Sequence, residues 1–375
     1  MLFALLRSAL WDREVDPAFF AGLSDETWRQ VAILAKNQRV IAVAYDAVCK
    51  LPQDVKPPKM VDLVFQMETA EIEKRYTKQM EVMRDITQWF STEPSIPFVV
   101  LKGASLARYY PVPAHRSSVD VDFYTGAGYE DSLKVLASKG VSFNTSHYKH
   151  AVLTWKGIPV ENHHSFLSIK NYKTHRVAEQ ALKAELASAG FVSARLASAD
   201  LVSPELSPID WKVPCLPARA SALFLLKHTL AHFLRDDEGA TLRDLCDWAL
   251  LLQKERASSD LVLSYLKENA RAFGLGGFLD AWTVLAIDCL GLDARFGKRF
   301  TRSPRNEQRV LHRLLTQDAH ALDNVTNPIR KRLLQTRQLF AHGWRFSLVG
   351  WSPWREFWRL GWRRVIIDTM NYVEK

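Results

Sequence analysis

The stretch from Lys102 to Asp122 constrains this chain more than any other part of its sequence. An apolar, strand-like run over 97–101 leads into Lys102 and Gly103, and a short helical segment follows. Two aspartates, Asp120 and Asp122, then lie two residues apart in a second strand-like run. Because residues i and i+2 of a strand point to the same face, their carboxylates should be parallel. The pattern predicts an oxygen-ligand site for a hard divalent cation.

A third carboxylate, Glu161, lies in another strand-like run over 157–163. Mg²⁺ commonly takes one or two carboxylates together with substrate phosphates. A third carboxylate can hold a second ion and help to activate an attacking hydroxyl. We therefore expect Asp120, Asp122 and Glu161 to be catalytic metal ligands for Mg²⁺, with Mn²⁺ as the alternative ion.

Each of these residues also has a structural alternative. The two aspartates could cap a turn, although Val119, Val121 and Phe123 alternate with them as in a strand. Glu161 could pair with a surface lysine or arginine. His163, two residues further on, is a candidate site residue, but a single histidine on a strand is more often a hydrogen-bonded core residue.

The glycine turn before the aspartates is typical of phosphate binding. Gly103 allows the backbone to approach a phosphate closely, and the N–H groups of Ala104 and Ser105 would lie at a helix N-terminus. Lys102 and Arg116 are candidates for neutralising a triphosphate. Both could instead form structural salt bridges. The predicted nucleotide-binding set is Lys102, Gly103, Ser105 and Arg116.

Composition narrows the class of partner and compartment. The net charge is +9, from 50 Lys and Arg against 41 Asp and Glu, which favours polyanionic partners. The four cysteines form no CxxC pair, which predicts free thiols in a reducing compartment. No signal peptide or run of apolar residues long enough to span a membrane is found. We therefore expect a cytoplasmic protein.

The pattern of elements predicts an α+β fold, in which a mixed sheet with helices is followed by a mostly helical C-terminal domain. We predict N-terminal helices over 1–93, an α/β core over 94–202, a helical domain over 218–325 and basic helices over 326–375. Strands are expected over 97–102, 118–125, 141–147, 150–156, 158–166 and 191–196, with a hairpin turn at Lys156-Gly157. Helices are expected within 1–50 and over 61–92, 103–110, 129–139, 174–189, 218–234, 239–256, 258–272, 276–291, 305–317, 327–341 and 352–372.

Two further sets of polar residues lie in the helical half. His228 and His232 are spaced i,i+4 on one helix, a spacing compatible with zinc, but no zinc-enzyme pattern accompanies them. They are more consistent with an interface lining the nucleotide cleft. Arg243 and Asp247, on the next helix, are candidates for substrate contact, and an interhelical bond between histidine and aspartate is the structural alternative.

The run L-K-G-A-S-L-A-x-x-Y-P-x-P-x-x-R-x-x-x-D-V-D over 101–122 resembles the signature of the uncharacterised nucleotidyltransferase family of the polymerase-beta superfold. In that family a strand ending in carboxylate-x-His follows, and Glu161-Asn162-His163 matches it. The stretch 228–247 is similar to the family's helical half. The resemblance covers roughly residues 20–260 and implies a mixed sheet with metal-binding aspartates.

The resemblance also implies a reaction. A nucleoside monophosphate would pass from an NTP, with ATP as the expected donor, to the hydroxyl of a small molecule, peptide, protein or RNA. The alternative is a non-catalytic module of the same fold that binds nucleic acid or a partner through its basic surface. The complete set of three carboxylates favours the enzyme.

The C-terminal region is basic and rich in tryptophan. Residues 326–375 hold ten Lys and Arg against three acids, and five of the twelve tryptophans lie between Trp344 and Trp362. A basic helix with such aromatic residues can contact an anionic membrane or stack on single-stranded nucleic acid. Packing of the tryptophans on the helical domain is the alternative for 344–364.

Overall fold

A computed structural model of the chain describes residues 1–92, 95–168, 173–191, 214–235, 239–255, 258–316, 325–326 and 328–358. These residues form an α+β fold, as predicted, in which a five-stranded mixed sheet lies among helices. The strands are β1 (Val99–Val100), β2 (Val121–Tyr124), β3 (Phe143–Asn144), β4 (His150–Trp155) and β5 (Ile158–His163).

The sheet has the strand order β1-β2-β5-β4-β3. β2 and β5 are parallel, and the other neighbouring pairs are antiparallel. The hairpin between β4 and β5 turns at Lys156 and Gly157, whose φ angles are 49° and 77°. Positive φ at both central residues is the two-residue turn that matches the twist of the flanking strands, so the predicted hairpin is confirmed.

Fifteen helices are found among the described residues, and most of the predicted helices lie within two residues of their expected bounds. Residues 1–50 contain three of them, and Ser24 accepts a hydrogen bond from the Thr27 N–H at the start of the second, where the sequence predicts a helix start. The helices are α1 (Leu2–Trp11), α2 (Asp25–Asn37), α3 (Ile41–Lys50), α4 (Lys59–Phe90), α5 (Ala104–Ala107), α6 (Tyr129–Ser138), α7 (Lys173–Ser188), α8 (Ala218–Leu234), α9 (Leu242–Lys254), α10 (Ser259–Glu268), α11 (Ala270–Phe273), α12 (Gly276–Leu290), α13 (Pro304–Thr316), α14 (Pro328–Ala341) and α15 (Trp344–Ser347).

Three expectations about the elements are corrected. The helix predicted over 103–110 is only the single turn α5, which ends at Ala107, and Pro111 disfavours the helical conformation at Tyr110. The helix predicted over 258–272 is divided into α10 and α11. The strand predicted over 141–147 is reduced to β3. The predicted strand over 191–196, apart from Phe191, and the predicted last helix beyond residue 358 lie outside the described residues.

Two apolar cores cover the two faces of the sheet. One face packs on α6 and the C-terminal half of α4, where Phe90, Phe98 and Phe123 make mutual edge-to-face contacts at 5.6–6.0 Å. Aromatic pairs of this kind contribute about 0.5–1.5 kcal/mol each beyond their burial. The other face, with Tyr124, joins the larger core formed by α7, α8 and the remaining helices. The candidate site therefore lies on the side of the sheet that faces the helical half.

The N-terminal helices belong to the larger core. α1 packs against α12, and the indole N–H of Trp11 donates to the Leu290 carbonyl at 2.5 Å. Gln38, at the end of α2, accepts a hydrogen bond from the Leu242 N–H at 2.9 Å through its side chain. The same apolar core is thus enclosed by α1 and α2 together with α9 and α12. No helix among the described residues is long and apolar enough to cross a membrane.

The tryptophan-rich region contacts the helical half only in part. Trp344 and Trp351 are partly buried against the larger core. Trp354 and Trp358 are 62% and 57% exposed. Trp362 lies outside the described residues. Packing on the helical half therefore accounts for two of the five tryptophans. Contact of Trp354 and Trp358 with a membrane or a nucleic acid remains a prediction.

Candidate active site

The site is built on the central parallel pair of strands. Asp122 of β2 is directly opposite Glu161 of β5 in the register of the two strands, so both side chains lie on the face that meets the helical half. Asp120 precedes β2 by one residue. One carboxylate oxygen from each of Asp120, Asp122 and Glu161 lies within 4.8 Å of the others. The structure therefore brings the three predicted carboxylates together.

The backbone of Asp120 is held from two directions. Its carbonyl accepts hydrogen bonds from the Gln79 amide on α4 and from the Ser118 hydroxyl, both at 3.3 Å. Its carboxylate accepts a hydrogen bond from Lys102 Nζ at 3.2 Å, and the same Nζ lies 3.1 Å from Asp122 Oδ2. Lys102 is thus the cation nearest to the paired aspartates among the described residues.

Two histidines continue the site along the sheet. His163 Nε2 lies 3.1 Å from both Asp122 Oδ1 and Glu161 Oε2. His150 of β4 is opposite His163 in the antiparallel register, and its Nδ1 lies 3.4 Å from Glu161 Oε2. His163 and His150 are 2% and 8% exposed. Glu161 therefore contacts both imidazoles, and His163 also contacts Asp122.

The charges of the site favour the ionised forms of Glu161 and Asp122. Burial acts to raise the pKa of Glu161, but the hydrogen bond and charge of His163 together with the charge of His150 outweigh it and lower this pKa to about 2. Burial also acts to raise the pKa of Asp122, but the charge of Lys102 and the hydrogen bond and charge of His163 together outweigh it, so the pKa of Asp122 is lowered. Ionised oxygens are the form in which carboxylates bind a cation.

The three carboxylates fit a hard divalent ion. They offer only oxygen ligands, which Mg²⁺ prefers. Asp122 is 1% exposed, and Lys102 Nζ lies 3.1 Å from its Oδ2. A buried carboxylate oxygen is costly unless a cation meets it, and the Lys102 ammonium holds that position in this structure. The residues Asp120, Asp122 and Glu161 therefore form a suitable set of ligands for Mg²⁺.

The glycine turn lies beside the carboxylates. Gly103 has a φ of 64°, which side chains rarely adopt, and a Cβ at this position would lie 3.6 Å from the Asp120 carbonyl oxygen. Ser105 is different, because it is 4% exposed and its N–H contacts the Lys102 carbonyl at 3.4 Å. The geometry favours Gly103, and not Ser105, as the point where a phosphate can approach.

Arg116 lies in a buried ion pair. Its guanidinium donates two hydrogen bonds of 2.7 Å to the two carboxylate oxygens of Asp247 on α9. Tyr110 Oη also donates to Asp247 Oδ1, at 2.8 Å. The side chains of Arg116 and Asp247 are 3% and 0% exposed. This placement favours a structural role for both residues over the predicted contacts with phosphate and substrate.

The other candidates from the helical half surround the cleft. Arg243 donates to Asp244 Oδ1 at 2.7 Å and to the Ser117 carbonyl at 3.3 Å, so it connects α9 to the segment before β2. His228 and His232 face each other on α8, with their Nε2 atoms 3.0 Å apart. Burial lowers the pKa of His228, and the charge of Lys102 adds to this effect. His228 on α8 is therefore close enough to Lys102 for the charge of that lysine to act on it.

Two cations near the carboxylates were not among the predicted site residues. Arg39 lies in the turn between α2 and α3 with a φ of 57°, and the charge of Asp120 acts on its guanidinium. Lys149 immediately precedes β4, and the charges of Asp122 and Glu161 act on its ammonium. Among the residues that the structure describes, neither side chain forms a hydrogen bond or an ion pair. Both charges remain available to an anionic ligand.

His150 was also missed, although the sequence carries a signal for it. Counting back along both strands from the turn at Lys156-Gly157 pairs His163 with His150. Arg39 has no such signal, since its position depends on the packing of α2 against α9.

The imidazoles form a row that leads away from the carboxylates. The ring centroids of His163 and His150 are 4.7 Å apart, and those of His150 and His147 are 4.0 Å apart. His147 lines a cavity of about 590 Å³ together with Tyr129, Phe143, Tyr148 and His164. The cavity is also lined by residues of α6, which packs on the face of the sheet opposite the three carboxylates, and His147 connects it to the row of imidazoles.

Comparison with known proteins identifies the family. No curated protein and no solved structure matches the chain. A family model described as uncharacterised nucleotidyltransferase matches residues 24–291, which is more than half of the chain and includes all the carboxylates and cations of the site. The chain therefore belongs to the uncharacterised nucleotidyltransferase family, whose name implies a nucleoside triphosphate substrate.

Proposed function

We propose that this protein is a Mg²⁺-dependent nucleotidyltransferase that moves a nucleoside monophosphate from an NTP, with ATP as the donor, to a hydroxyl of an acceptor, and that pyrophosphate is the leaving group. The observation that carries the proposal is the convergence of Asp120, Asp122 and Glu161 within 4.8 Å beside the glycine turn. These residues would hold Mg²⁺, or Mn²⁺ in its place. The bound ion would neutralise charge on the triphosphate and lower the pKa of the attacking hydroxyl.

The protein's own residues bind and orient the substrates. Gly103 leaves room for a phosphate beside the Asp120 backbone. Lys102, Arg39 and Lys149 offer positive charge around the carboxylates, which would hold the triphosphate chain in line for displacement. Glu161 is the carboxylate closest to the row of imidazoles, so it would lie on the acceptor side of the α-phosphate.

The acceptor hydroxyl would come from the side of Glu161 that faces the imidazoles of His150 and His163. A small molecule, a peptide, a protein side chain or an RNA end could supply the hydroxyl. The four cysteines form no CxxC pair, which suits a reducing compartment, and we place the reaction in the cytoplasm.

Calorimetric titration with each NTP, in the presence and absence of Mg²⁺, tests the first step. We expect metal-dependent binding by the wild type and its loss in the Asp120→Asn/Asp122→Asn variant. Asp131→Asn is a matched control, because Asp131 is an exposed acid on α6 that pairs only with Lys134 among the described residues. NTP binding that is independent of Mg²⁺, or that is retained in the double variant, would instead support the alternative of a non-catalytic binding module.

Incubation with α-labelled NTPs and a cell extract tests the transfer itself. Label should enter an acceptor in the presence of Mg²⁺, and mass spectrometry of the labelled product would identify the acceptor class. The Asp120→Asn/Asp122→Asn variant should transfer no label.

A further inference from the structure

A second set of ligand atoms adjoins the three carboxylates. One ligand atom from each of His150, Glu161 and His163 lies within 4.8 Å of the others. Glu161 belongs to both sets. The second set contains two imidazoles and one carboxylate, whereas the first contains oxygen ligands alone.

The histidines of this second set have unused hydrogen-bonding capacity. His150 is 8% exposed, and its Nδ1 forms no hydrogen bond although it points to Glu161 Oε2 at 3.4 Å. His163 is 2% exposed, its Nε2 lies 3.1 Å from the same oxygen, and its Nδ1 has no hydrogen-bond partner among the described residues. Buried imidazole nitrogens are normally satisfied by a partner. Here both histidines direct a nitrogen at one carboxylate oxygen, as they would towards a shared cation.

We propose that His150, Glu161 and His163 bind a second divalent cation of the borderline transition-metal class, represented by Zn²⁺, next to the Mg²⁺ carboxylates. Imidazole nitrogen suits Zn²⁺, Fe²⁺ and Co²⁺, whereas Mg²⁺ selects oxygen ligands. The proposal takes from the proposed function only the assignment of Asp120 and Asp122 to Mg²⁺. Glu161, common to both sets, is the ligand that would connect the two ions.

The strand register explains why these ligands meet. His150 and His163 form a directly opposed pair of β4 and β5, and Glu161 lies two residues before His163 on the same face. The three ligands thus come from two adjacent strands of one hairpin. A rigid hairpin keeps ligands in place without the ion, which favours binding by the full-length protein before any nucleotide arrives.

Metal titration of chelator-treated, full-length protein without nucleotide tests the proposal. We expect Zn²⁺ to bind at least about tenfold more tightly than Mg²⁺. In His150→Gln, the ratio of the Zn²⁺ affinity to the Mg²⁺ affinity should fall by about tenfold or more. The same ratio should rise in Asp120→Asn, which weakens the oxygen-ligand set. His164→Gln is the matched control, because its ring contacts Tyr129 instead of Glu161.

A second measurement on the wild type tests the proposal even if His150→Gln fails to fold. Co²⁺ added to the wild type should give visible absorption typical of nitrogen and oxygen ligands, and Zn²⁺ should displace it. His232→Gln examines the other pair of adjacent histidines, and it should leave the Zn²⁺ affinity unchanged. Equal affinities of the wild type for Zn²⁺ and Mg²⁺, or loss of Zn²⁺ binding in His232→Gln alone, would overturn the proposal. The proposed function would stand in either case, since its test is Mg²⁺-dependent NTP binding.

Discussion

Asp122 and Glu161 lie opposite each other on the only parallel pair of strands in the described sheet, and His163 Nε2 bridges their carboxylates at 3.1 Å to each. The two acids differ in their surroundings. The Asp122 side chain is 2% exposed and contacts Lys102, whereas the Glu161 side chain is 27% exposed and faces the imidazole row. We infer that Asp122 mainly holds the metal and the nucleotide, and that Glu161 acts at the acceptor.

The first prediction separates these two roles. Glu161→Gln should lower kcat by a factor on the order of 10², because a metal-ligand carboxylate contributes several kcal/mol to charge stabilisation. The KM for ATP should change only a few-fold, since Asp120 and Asp122 remain. Steady-state kinetics with a range of ATP concentrations measure both. Glu268→Gln, an exposed acid on α10, is the control, and an equal rise of KM and fall of kcat would contradict the division of roles.

The second prediction concerns the buried pair of Arg116 and Asp247. Asp247→Ala should lower the free energy of unfolding by about 3–5 kcal/mol, because it leaves a buried guanidinium without its carboxylate. Arg116→Met/Asp247→Leu should recover much of this loss, since no buried charge remains. Urea denaturation measures both variants. An Arg116→Met variant of normal stability that no longer binds ATP would instead assign Arg116 to the phosphates.

The sequence predicted the parts of the site that depend on local pattern. The alternation around Asp120 and Asp122 indicates one strand, and the turn at Lys156-Gly157 fixes the register that carries Glu161. The partners of Arg116 could not be predicted in this way. Asp247 lies far along the chain, and only the packing of α9 against the segment before β2 brings the two charges together. A pattern of residue types cannot tell a buried arginine that meets a carboxylate from one that meets a phosphate.

The third prediction concerns Arg39 and Lys149, whose side chains have no partner among the described residues. Arg39→Gln and Lys149→Gln should each weaken ATP binding by roughly tenfold, the equivalent of one charge-assisted hydrogen bond. The thermal stability should change little, because neither side chain forms an ion pair among the described residues. Arg29→Gln is the control, as Arg29 is an exposed arginine of helix α2, which precedes Arg39. If the control weakens ATP binding to the same extent, general surface charge explains the effect.

The fourth prediction concerns Lys102, whose Nζ contacts both aspartates at 3.2 and 3.1 Å. Without nucleotide, this positive charge repels a divalent ion from the carboxylates. Lys102→Met should therefore raise the affinity of the free protein for Mg²⁺ while it lowers the affinity for ATP. Titrations with Mg²⁺ alone and with ATP at saturating Mg²⁺ distinguish the two effects. A variant that loses affinity for both would show that Lys102 mainly keeps the aspartates in place.

The last prediction follows from His115, which lies between Asp46 on α3 and Glu73 on α4 at 2.8 and 2.9 Å. Burial acts to lower the pKa of His115, but the two carboxylates outweigh it, so the pKa is raised above 6.5. The stabilisation by protonated His115 is therefore complete below the unfolded-state pKa and is lost as the pH rises through the folded-state pKa. The free energy of unfolding of the wild type should exceed that of His115→Gln by more at about pH 6 than at about pH 9. Urea denaturation at both pH values measures this difference, with His312→Gln, on α13, as the control. A difference between wild type and His115→Gln that is constant with pH would mean that His115 has the same pKa in the folded and unfolded protein and acts through packing alone.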